Sequence, residues 1–235
     1  MSLFMIGCGV GNSNSKKPTV YESGYFKYIF LGENSIYQEN KDDKSIVIIG
    51  FTEKGLNQST IDIPREIDGN IVTYIGLRDE DPWHDQSHRV IVNSDYNLKK
   101  IFIFSNISQI DYFEGKDVDL MICSETLNFD KYSIVAKNKY LYKKLYDEIG
   151  KPSNEIYKSA NVSFYNNYLD KNDLYRIDNV EESGFLPKPL DPIRENYTFS
   201  GWYTESECIN LFDFESSPHI IDGVFNLYAG WNNNW

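Results

Sequence analysis

Two histidines and their acidic neighbours are the first place to look for chemistry in this chain. His84 and His88 stand four positions apart, close to Asp81 and Asp85. On a helix, this spacing would bring two imidazoles and a carboxylate together to hold a divalent metal ion for hydrolysis. A proline and several acids in the segment favour a solvated loop instead. We therefore expect no metal and no cofactor, and keep a metal-dependent hydrolase with its site in residues 77–95 as an alternative.

Trp83 lies in the same segment and suggests a different use for it. A Trp beside charged residues, on an insertion between strands, is typical of a residue that contacts a binding partner. The sequence has no serine-nucleophile, Walker-loop or dinucleotide fingerprint. Adjacent acids such as Glu181 and Glu182 are not placed like catalytic carboxylates that face each other across a cleft. The sequence therefore predicts no catalytic residue and no enzyme, with Trp83 as a candidate partner contact.

The three cysteines, at positions 8, 123 and 208, do not have the spacing of metal ligands. There is no C-x-x-C pair and no Cys/His cluster, which argues against zinc. We expect Cys123 and Cys208 to be separate buried thiols, with a disulfide between domains as the alternative.

The apolar run 3–7 before Cys8 is too short to span a bilayer. Together with the polar stretch after the cysteine, it resembles the end of a lipoprotein signal and the tether that follows it. The resemblance implies lipid attachment at Cys8, membrane contact through that anchor alone, and a bacterial cell-surface location, either lipid-anchored or secreted. A frayed terminus with a chance cysteine is the alternative.

Composition indicates a globular, β-rich chain. Of the 235 residues 41% are hydrophobic, and the 18 Tyr and 14 Phe favour strands over helices. The net charge is −12, and residues 161–235 hold 12 acidic but 4 basic side chains. Nucleic-acid binding needs a basic surface, so we expect no nucleic-acid partner. The charge serves solubility, with attraction of a basic partner as the alternative.

Short apolar runs separated by polar loops recur along the first two thirds of the chain. Phe26–Leu31 and Ser45–Phe51 predict an antiparallel pair of strands. Triplets then follow at steps of about 20 residues, a period in the range of leucine-rich repeats, with Ile61 to Ile101 counted as two steps. Such turns bury their apolar faces by stacking on one another. The triplets are Ile61–Ile63, Val90–Val92, Ile101–Ile103, Leu120–Ile122 and Ser133–Val135.

The residues around two of these triplets resemble BspA-type leucine-rich repeats. In that family a triplet strand ends at Pro, and a second apolar pair is followed by Gly. Thr60–Gly76 fits this scheme with Pro64, and Leu98–Ile110 repeats it with Phe104 in place of Pro. The resemblance implies a short, irregular leucine-rich-repeat-like solenoid with an extra N-terminal hairpin over residues 21–152.

The end of this region predicts a helix. Within residues 138–149, Leu141, Leu145 and Ile149 form one apolar stripe of helical period. Gly150 and a following proline would stop the helix. We expect it to cap the last repeat, and the polar segment 151–160 to separate two domains.

Residues 161–231 combine glycines, prolines and aromatic residues in a distinctive order. This order resembles the Listeria–Bacteroides repeat, also called the internalin B-repeat. The resemblance implies a small β-grasp-like module at residues 160–235. The elements that carry it are Val162–Tyr165, Gly184, Pro189 with Pro192, Tyr197–Tyr203, Phe212–Phe214 and Leu227–Trp231.

Aromatic residues of this module are expected to fill its core. Leu227, Ala229 and Trp231 share one face of their strand. Gly201, which has no Cβ, would let a ring from a neighbouring strand lie against the backbone. A recognition platform of Trp and Tyr rings is the alternative. In the aromatic strand, alternation predicts Tyr197, Phe199 and Gly201 on one face and Thr198, Ser200 and Trp202 on the other.

Taken together, these patterns predict a mainly β chain of three segments. Residues 1–20 would be a lipoprotein signal remnant and flexible linker, 21–152 the leucine-rich-repeat-like domain, and 160–235 the β-grasp-like module. Both resemblances imply an extracellular adhesion or host-interaction protein that binds an unidentified protein or glycan. A structural spacer module on the cell surface is the alternative besides the hydrolase.

Overall fold

The computed structural model of the chain describes residues 18–33, 42–77, 88–104, 106–123, 128–129, 134–141, 146–147, 157–168, 173–181, 184–216 and 224–235. Regular structure in these ranges is almost entirely β-strand. The helical elements are short: a 3-10 turn at Leu31–Glu33, α1 at Glu53–Leu56, and a helical pair at 146–147. No helix within the described ranges is long and apolar enough to cross a bilayer.

The strands of the described residues lie in three sheets. Their bounds are β1 Tyr21–Ser23, β2 Phe26–Phe30, β3 Ile46–Phe51, β4 Thr60–Asp62, β5 Glu66–Ile67, β6 Asn70–Ile75, β7 Val90–Ile91, β8 Lys100–Ile103, β9 Gln109–Ile110, β10 Phe113–Ile122, β11 Asn128–Phe129, β12 Ile134–Leu141, β13 Tyr157–Ser159, β14 Val162–Tyr165, β15 Leu174–Asp178, β16 Tyr197–Tyr203 and β17 Phe225–Asn233.

The first two sheets together form the N-terminal part, residues 18–159. One sheet has the order β1-β2-β3-β6-β9-β11 with β5 beside β6, and the other has the order β13-β12-β10-β8-β4 with β7 beside β10. The predicted antiparallel strand pair is confirmed as β2 and β3. From β3 to β13 the chain passes repeatedly from one sheet to the other, although β5 and β6, β7 and β8, and β12 and β13 follow each other within one sheet. Neighbouring strands in the orders β3-β6-β9-β11 and β4-β8-β10-β12-β13 pair in parallel, so these strands lie side by side in the order in which the chain reaches them.

The strand register shows how the turns repeat. Ile101 pairs with Leu120 and Leu120 with Lys139, each pair 19 positions apart. Ile61, however, pairs directly with Ile101, so these two strands are neighbours and not two steps apart. The triplet that begins at Val90 does not lie between them, because β7 pairs with the start of β10. The prediction of two steps is therefore wrong. The chain between β4 and β8 instead supplies β5, β6 and β7.

The main core of the N-terminal part lies between its two sheets. Ile46, Ile48 and Ile75 from one sheet pack in the same buried cluster as Ile101 and Leu120 from the other. Parallel pairing repeats the same position in each turn, and this aligns aliphatic side chains in rows across the strands. Burial of these rows is the main source of stability for the stack.

The helix predicted from residue 138 is wrong in its first turn. Asn138 to Leu141 belong to β12 and pair with Asp119 to Ile122 of β10. Leu141 is fully buried in the main core. The burial that it gains as part of β12 outweighs the helical spacing of the apolar residues in this segment. Further on, Tyr146 is helical and packs against the same core, as a cap would. Leu145 and Ile149 lie outside the described residues.

The C-terminal module, residues 161–235, forms the third sheet, in the order β15-β14-β17-β16. Its central strands β14 and β17 are parallel, and each outer strand is antiparallel to its neighbour. This sheet is separate from the other two. The segment 151–160 includes β13, which pairs with β12 and extends the N-terminal part to Ser159. The division into domains at 152 and 160 remains a prediction.

Alternation in β16 is interrupted by a bulge. The pairing with β17 shifts between Phe199 and Gly201, and Phe199 and Trp202 consequently meet in the same core with ring centroids 5.4 Å apart. The prediction that they face opposite sides is wrong because a bulge adds one residue and reverses the alternation after it. Leu227, Ala229 and Trp231 do share the core, as predicted.

The glycine pair beside this bulge is closely packed, but the predicted ring contact lies at Gly230 and not at Gly201. A Cβ on Gly201 would clash with a methyl group of Leu211. The ring that lies against the backbone is that of Tyr203, which would clash with a Cβ on Gly230. Gly230 is the register partner of Gly201.

Candidate functional site

The outer face of the six-stranded sheet meets the C-terminal module. Strand alternation directs Phe102 and Met121 away from the main core, and with Tyr140 they form a second buried cluster. The module contributes Ile177 of β15 to this cluster. Phe102, Met121 and Ile177 are all completely buried. The two parts are therefore joined by an apolar contact that excludes water.

Charged side chains from β15 complete this contact. Arg176 lies with its guanidinium carbon 3.4 Å from the centroid of the Phe102 ring. Its Nη1 donates to the Asp62 carboxylate at 2.9 and 3.0 Å. Lys100 Nζ donates to Asp178 Oδ1 at 2.6 Å. Arg176 and Asp178 are buried, so each partner supplies the opposite charge that an ion removed from water requires.

Cys123 reports on the same contact. Its thiol is buried, and its sulfur accepts a hydrogen bond from the backbone N–H of Ile177 at 3.1 Å. Burial raises the pKa of Cys123 to about 12, so the thiol is neutral and unreactive at neutral pH. Cys208 is a separate thiol beside Asn167. The prediction that the two thiols are unpaired is confirmed, but the prediction that both are buried is wrong for Cys208, which is half-buried.

An aromatic chain crosses from one part to the other. Phe104 packs against Tyr175 with ring centroids 5.7 Å apart, and Tyr175 packs against Trp202 at 5.6 Å. Phe104 is the residue that replaces the expected Pro of the repeat pattern. Its ring contacts the module, which gives the replacement a physical reason. Trp202 lies in the module's core, as expected for a residue that shapes the fold.

A cleft of about 320 Å³ opens beside this aromatic chain. The N-terminal part lines it with the turn after β4 and the residue after β8. The module lines it with the end of β14, with β15 and with the loop before β16. Its lining residues are Asp62, Pro64, Arg65, Phe104, Asn166, Tyr168, Tyr175, Leu190, Asp191, Pro192 and Ile193. Since both parts contribute walls, the cleft depends on their contact.

The loop that forms one wall is anchored but keeps apolar side chains in solvent. The hydroxyl of Tyr175 donates to the carbonyl of Leu190 at 3.1 Å, and Pro192 is buried. Between and beside these anchors, Leu190 is 67% exposed and Ile193 is 93% exposed. Two large apolar side chains held at the mouth of one cleft are a feature of binding surfaces.

Burial sets the protonation of two groups in the cleft. Burial, with the nearby Asp178 carboxylate, raises the pKa of Asp62 above its usual value, although Arg176 lowers it. Burial also raises the pKa of Tyr175 to about 12, so its hydroxyl keeps its proton and acts as a donor. Both groups are engaged in hydrogen bonds, Asp62 with Arg176 and Tyr175 with the carbonyl of Leu190.

The candidates from the sequence are distributed differently. His88 is described, and its carbonyl accepts from the Leu77 backbone N–H at 3.1 Å. In the described part of the chain, no three His, Cys, Asp or Glu side chains are grouped so that they could hold a metal ion. The other candidates lie outside the described residues: Cys8, Asp81, Trp83, His84 and Asp85.

Sequence reasoning missed the residues that join the two parts beside the cleft. Asp62 and Arg176 are 114 positions apart, and single-sequence patterns carry no information on such a pairing. One signal was present. Arg176 lies within an otherwise strand-like run, where a charge needs a partner if the strand is buried.

Comparison with known protein families finds a match in the C-terminal part of the chain. Residues 161–230 match the family model of the Listeria-Bacteroides repeat domain, which indicates a bacterial surface-associated module and not an enzyme family. No solved structure matches the chain.

Proposed function

We propose that this chain is a non-enzymatic bacterial cell-surface protein that presents a binding surface for a protein or glycan, in adhesion or host interaction. The single observation that carries this proposal is the cleft between the two parts, with Leu190 and Ile193 exposed at its mouth. A concave, mainly apolar site with a few polar groups is the usual form of a ligand site.

The fold proposed for this function is a short leucine-rich-repeat-like solenoid followed by a β-grasp-like module. Sequential parallel pairing at 19-residue steps supports the first assignment. The order β15-β14-β17-β16 with a parallel central pair supports the second. Cys8 would carry the lipid anchor, and Trp83 would be a further contact with the partner.

A rigid spacer is the second candidate function. The buried contact of Phe102, Arg176 and Ile177 supports it, because it fixes the module on the N-terminal part. A spacer needs no ligand, so the two candidates differ in whether the cleft is used.

Arrays of glycans and peptides probed with the whole protein test the proposal. We expect binding that is lost when Leu190 and Ile193 are both replaced by Ser, and that survives Ile209→Ser. Ile209 is a suitable control because it is 75% exposed in the same module and does not line the cleft. Absence of binding on both arrays would contradict the proposal and leave the spacer.

A further inference from the structure

We infer that the segment after β16, residues 204–216, is a second binding surface, and that it fits a basic protein segment carrying large apolar side chains. This surface is separate from the cleft, because the described residues that line the cleft all lie outside it. The inference therefore goes beyond the proposed function and does not depend on it. It follows from two apolar side chains that the segment exposes and from acidic side chains without an ion partner.

The segment is anchored on the edge of the module's sheet. Leu211 forms a β-bridge with Tyr203 of β16, and the backbone N–H of Phe212 donates to the carbonyl of Trp202 at 2.7 Å. The rings of Phe212 and Phe214 pack against the core of the module. A surface that is held in place before a partner arrives loses less conformational entropy on binding.

Two large apolar side chains of this anchored segment stay in solvent. Ile209 is 75% exposed and Leu211 is 62% exposed. The neighbouring Phe212 packs against the core instead. The core therefore takes up the aromatic ring and leaves both aliphatic side chains in water. A partner that covers them removes apolar surface from water, which favours binding.

The same segment is acidic and contains no basic residue. Its acids are Glu205, Glu207, Asp213 and Glu215, and the sequence has no Lys or Arg after Arg194. Glu207 and Glu215 are exposed. In the part of the chain that the structure describes, Glu205, Glu207 and Glu215 form no ion pair with a basic side chain. Their charges are therefore not neutralised within the protein.

The basic side chains of the module are engaged elsewhere. Arg176 donates to a carboxylate of the N-terminal part, and Lys188 forms a surface ion pair. The guanidinium of Arg194 lies 3.5 Å from the centroid of the Tyr197 ring. Lys171 lies outside the described residues. The acids of the segment thus remain available to a basic partner.

These properties select the chemistry of the partner. An acidic surface repels nucleic acids, anionic lipid headgroups and a second copy of itself. Among the described residues, no three acidic side chains are grouped so that they could hold a metal ion, and a small cation would leave the aliphatic side chains in water. A protein segment that combines Lys or Arg with large apolar residues complements both features.

Fluorescence anisotropy with the whole protein and three labelled peptides of equal length tests the inference. The peptides alternate Lys with Leu, Lys with Ser, and Glu with Leu. We expect the Lys/Leu peptide to bind about tenfold more tightly than either of the others, because it alone supplies both kinds of contact. Its affinity should fall as the salt concentration rises, since exposed charges are screened.

Two double variants test the apolar contact. Ile209→Ser combined with Leu211→Ser should weaken binding of the Lys/Leu peptide about tenfold. Leu190→Ser combined with Ile193→Ser is the matched control, because it removes two exposed aliphatic side chains at the cleft. This control should leave the affinity unchanged.

Two further double variants test the charge. Glu207→Gln combined with Glu215→Gln should weaken the Lys/Leu peptide about threefold or more and reduce the salt dependence of its binding. Glu66→Gln combined with Asp95→Asn removes the same net charge at exposed positions of the N-terminal part and should have little effect. All four side chains are exposed, so these variants should fold, and an unchanged unfolding midpoint verifies this.

The outcomes separate this inference from the proposed function. Equal binding of the Lys/Ser peptide, or of the Glu/Leu peptide, overturns the inference, because one kind of contact then suffices. Binding that is lost in the cleft variants and kept in the Ile209 and Leu211 variants also overturns it, but supports the proposed function. No binding of any peptide overturns the inference and leaves the proposed function to the glycan and peptide arrays.

Discussion

The N-terminal part buries mainly aliphatic side chains, whereas the C-terminal module surrounds its core with rings. Rows such as Ile101 and Leu120 repeat across the stacked strands of the first part. In the module, Phe164 and Trp202 are buried, and further rings such as Phe199 and Trp231 close the margin. A stack can extend its core by adding turns. A four-stranded sheet has few positions, so each must bury more surface.

The N-terminal part and the module contact each other at β15. This strand belongs to the module's sheet, and its residues Arg176 and Ile177 contact the N-terminal part. The module therefore depends on a few large aromatic side chains, and the first part on many equivalent aliphatic ones. The contact between them depends on a buried charge.

Trp202→Ala should remove the most stability. Trp202 is 1% exposed and contacts Phe164, Tyr175 and Phe199. Loss of a buried Trp costs about 4 kcal/mol in the free energy of unfolding, measured by urea denaturation. Trp202→Phe should cost less than Trp202→Ala, because it keeps one aromatic ring in the core and leaves a smaller cavity. Trp235→Ala is the control, because Trp235 is 91% exposed. Equal losses for the two alanine variants would show that the module does not rest on its largest ring.

Arg176→Met should cost about 3 kcal/mol, because it leaves the Asp62 carboxylate without its partner. The loss should shrink as pH falls. Without Arg176, which lowers the pKa of Asp62, the folded-state pKa rises further, and the folded protein takes up a proton that relieves the buried charge. Urea midpoints along a pH series check this. Lys188→Met breaks an exposed pair and should change stability by less than about 0.5 kcal/mol. If the stability lost in Arg176→Met did not depend on pH, the unpaired Asp62 carboxylate would not be its cause.

Ile101→Val should cost about 1 kcal/mol, the usual effect of deleting one buried methylene. Ile101 is 1% exposed and lies in the row between Ile61 and Leu120. Ile91→Val makes the same deletion at a half-exposed strand position and should lie within about 0.5 kcal/mol of wild type. If both variants lose the same free energy of unfolding, the buried aliphatic rows are not the main source of stability for the N-terminal part.

Glu205→Gln should change the pH dependence of stability only in the acid range. The Thr204 hydroxyl and the backbone N–H groups of Asn210 and Ile209 lower the pKa of Glu205 from its usual 4.5 to about 2. A lowered folded-state pKa contributes stability above 4.5, and this contribution is lost as pH falls from 4.5 towards 2. The wild type should therefore lose more stability than the Gln variant across this window. If urea denaturation showed the same pH dependence of stability for both proteins, the Glu205 carboxylate would not contribute to stability as expected.

Local patterns predicted strands well and their partners poorly. The triplets at Ile61, Ile101 and Leu120 are strands because apolar residues between polar turns have few other ways to be buried. Their spacing could not show that Ile61 and Ile101 are neighbours, since the length of chain between two strands does not determine their pairing. The bulge in β16 was missed for a related reason, because alternation assumes an uninterrupted ladder.

The cleft was beyond sequence reasoning for a stronger reason. Asp62 and Arg176 come together through the docking of two parts of the chain, which no periodicity encodes. The repeat pattern predicts Pro at position 104, and the contact between Phe104 and Tyr175 gives a reason for the aromatic residue there. A residue that departs from a local pattern can thus indicate a contact that the pattern does not describe. Cys8 and Trp83 stay predictions.

We conclude that the N-terminal part and the C-terminal module are docked as one rigid unit. Hydrogen exchange at the backbone amide of Ile177 is the sharpest test of this claim. Its backbone N–H points away from β14 and donates to Cys123 across the contact, so docking alone protects it. We predict that this amide exchanges as slowly as those of β10, near the rate set by global unfolding, and that Arg176→Met accelerates it. Exchange as fast as that of an exposed strand edge, with the rest of β15 protected, would contradict the claim.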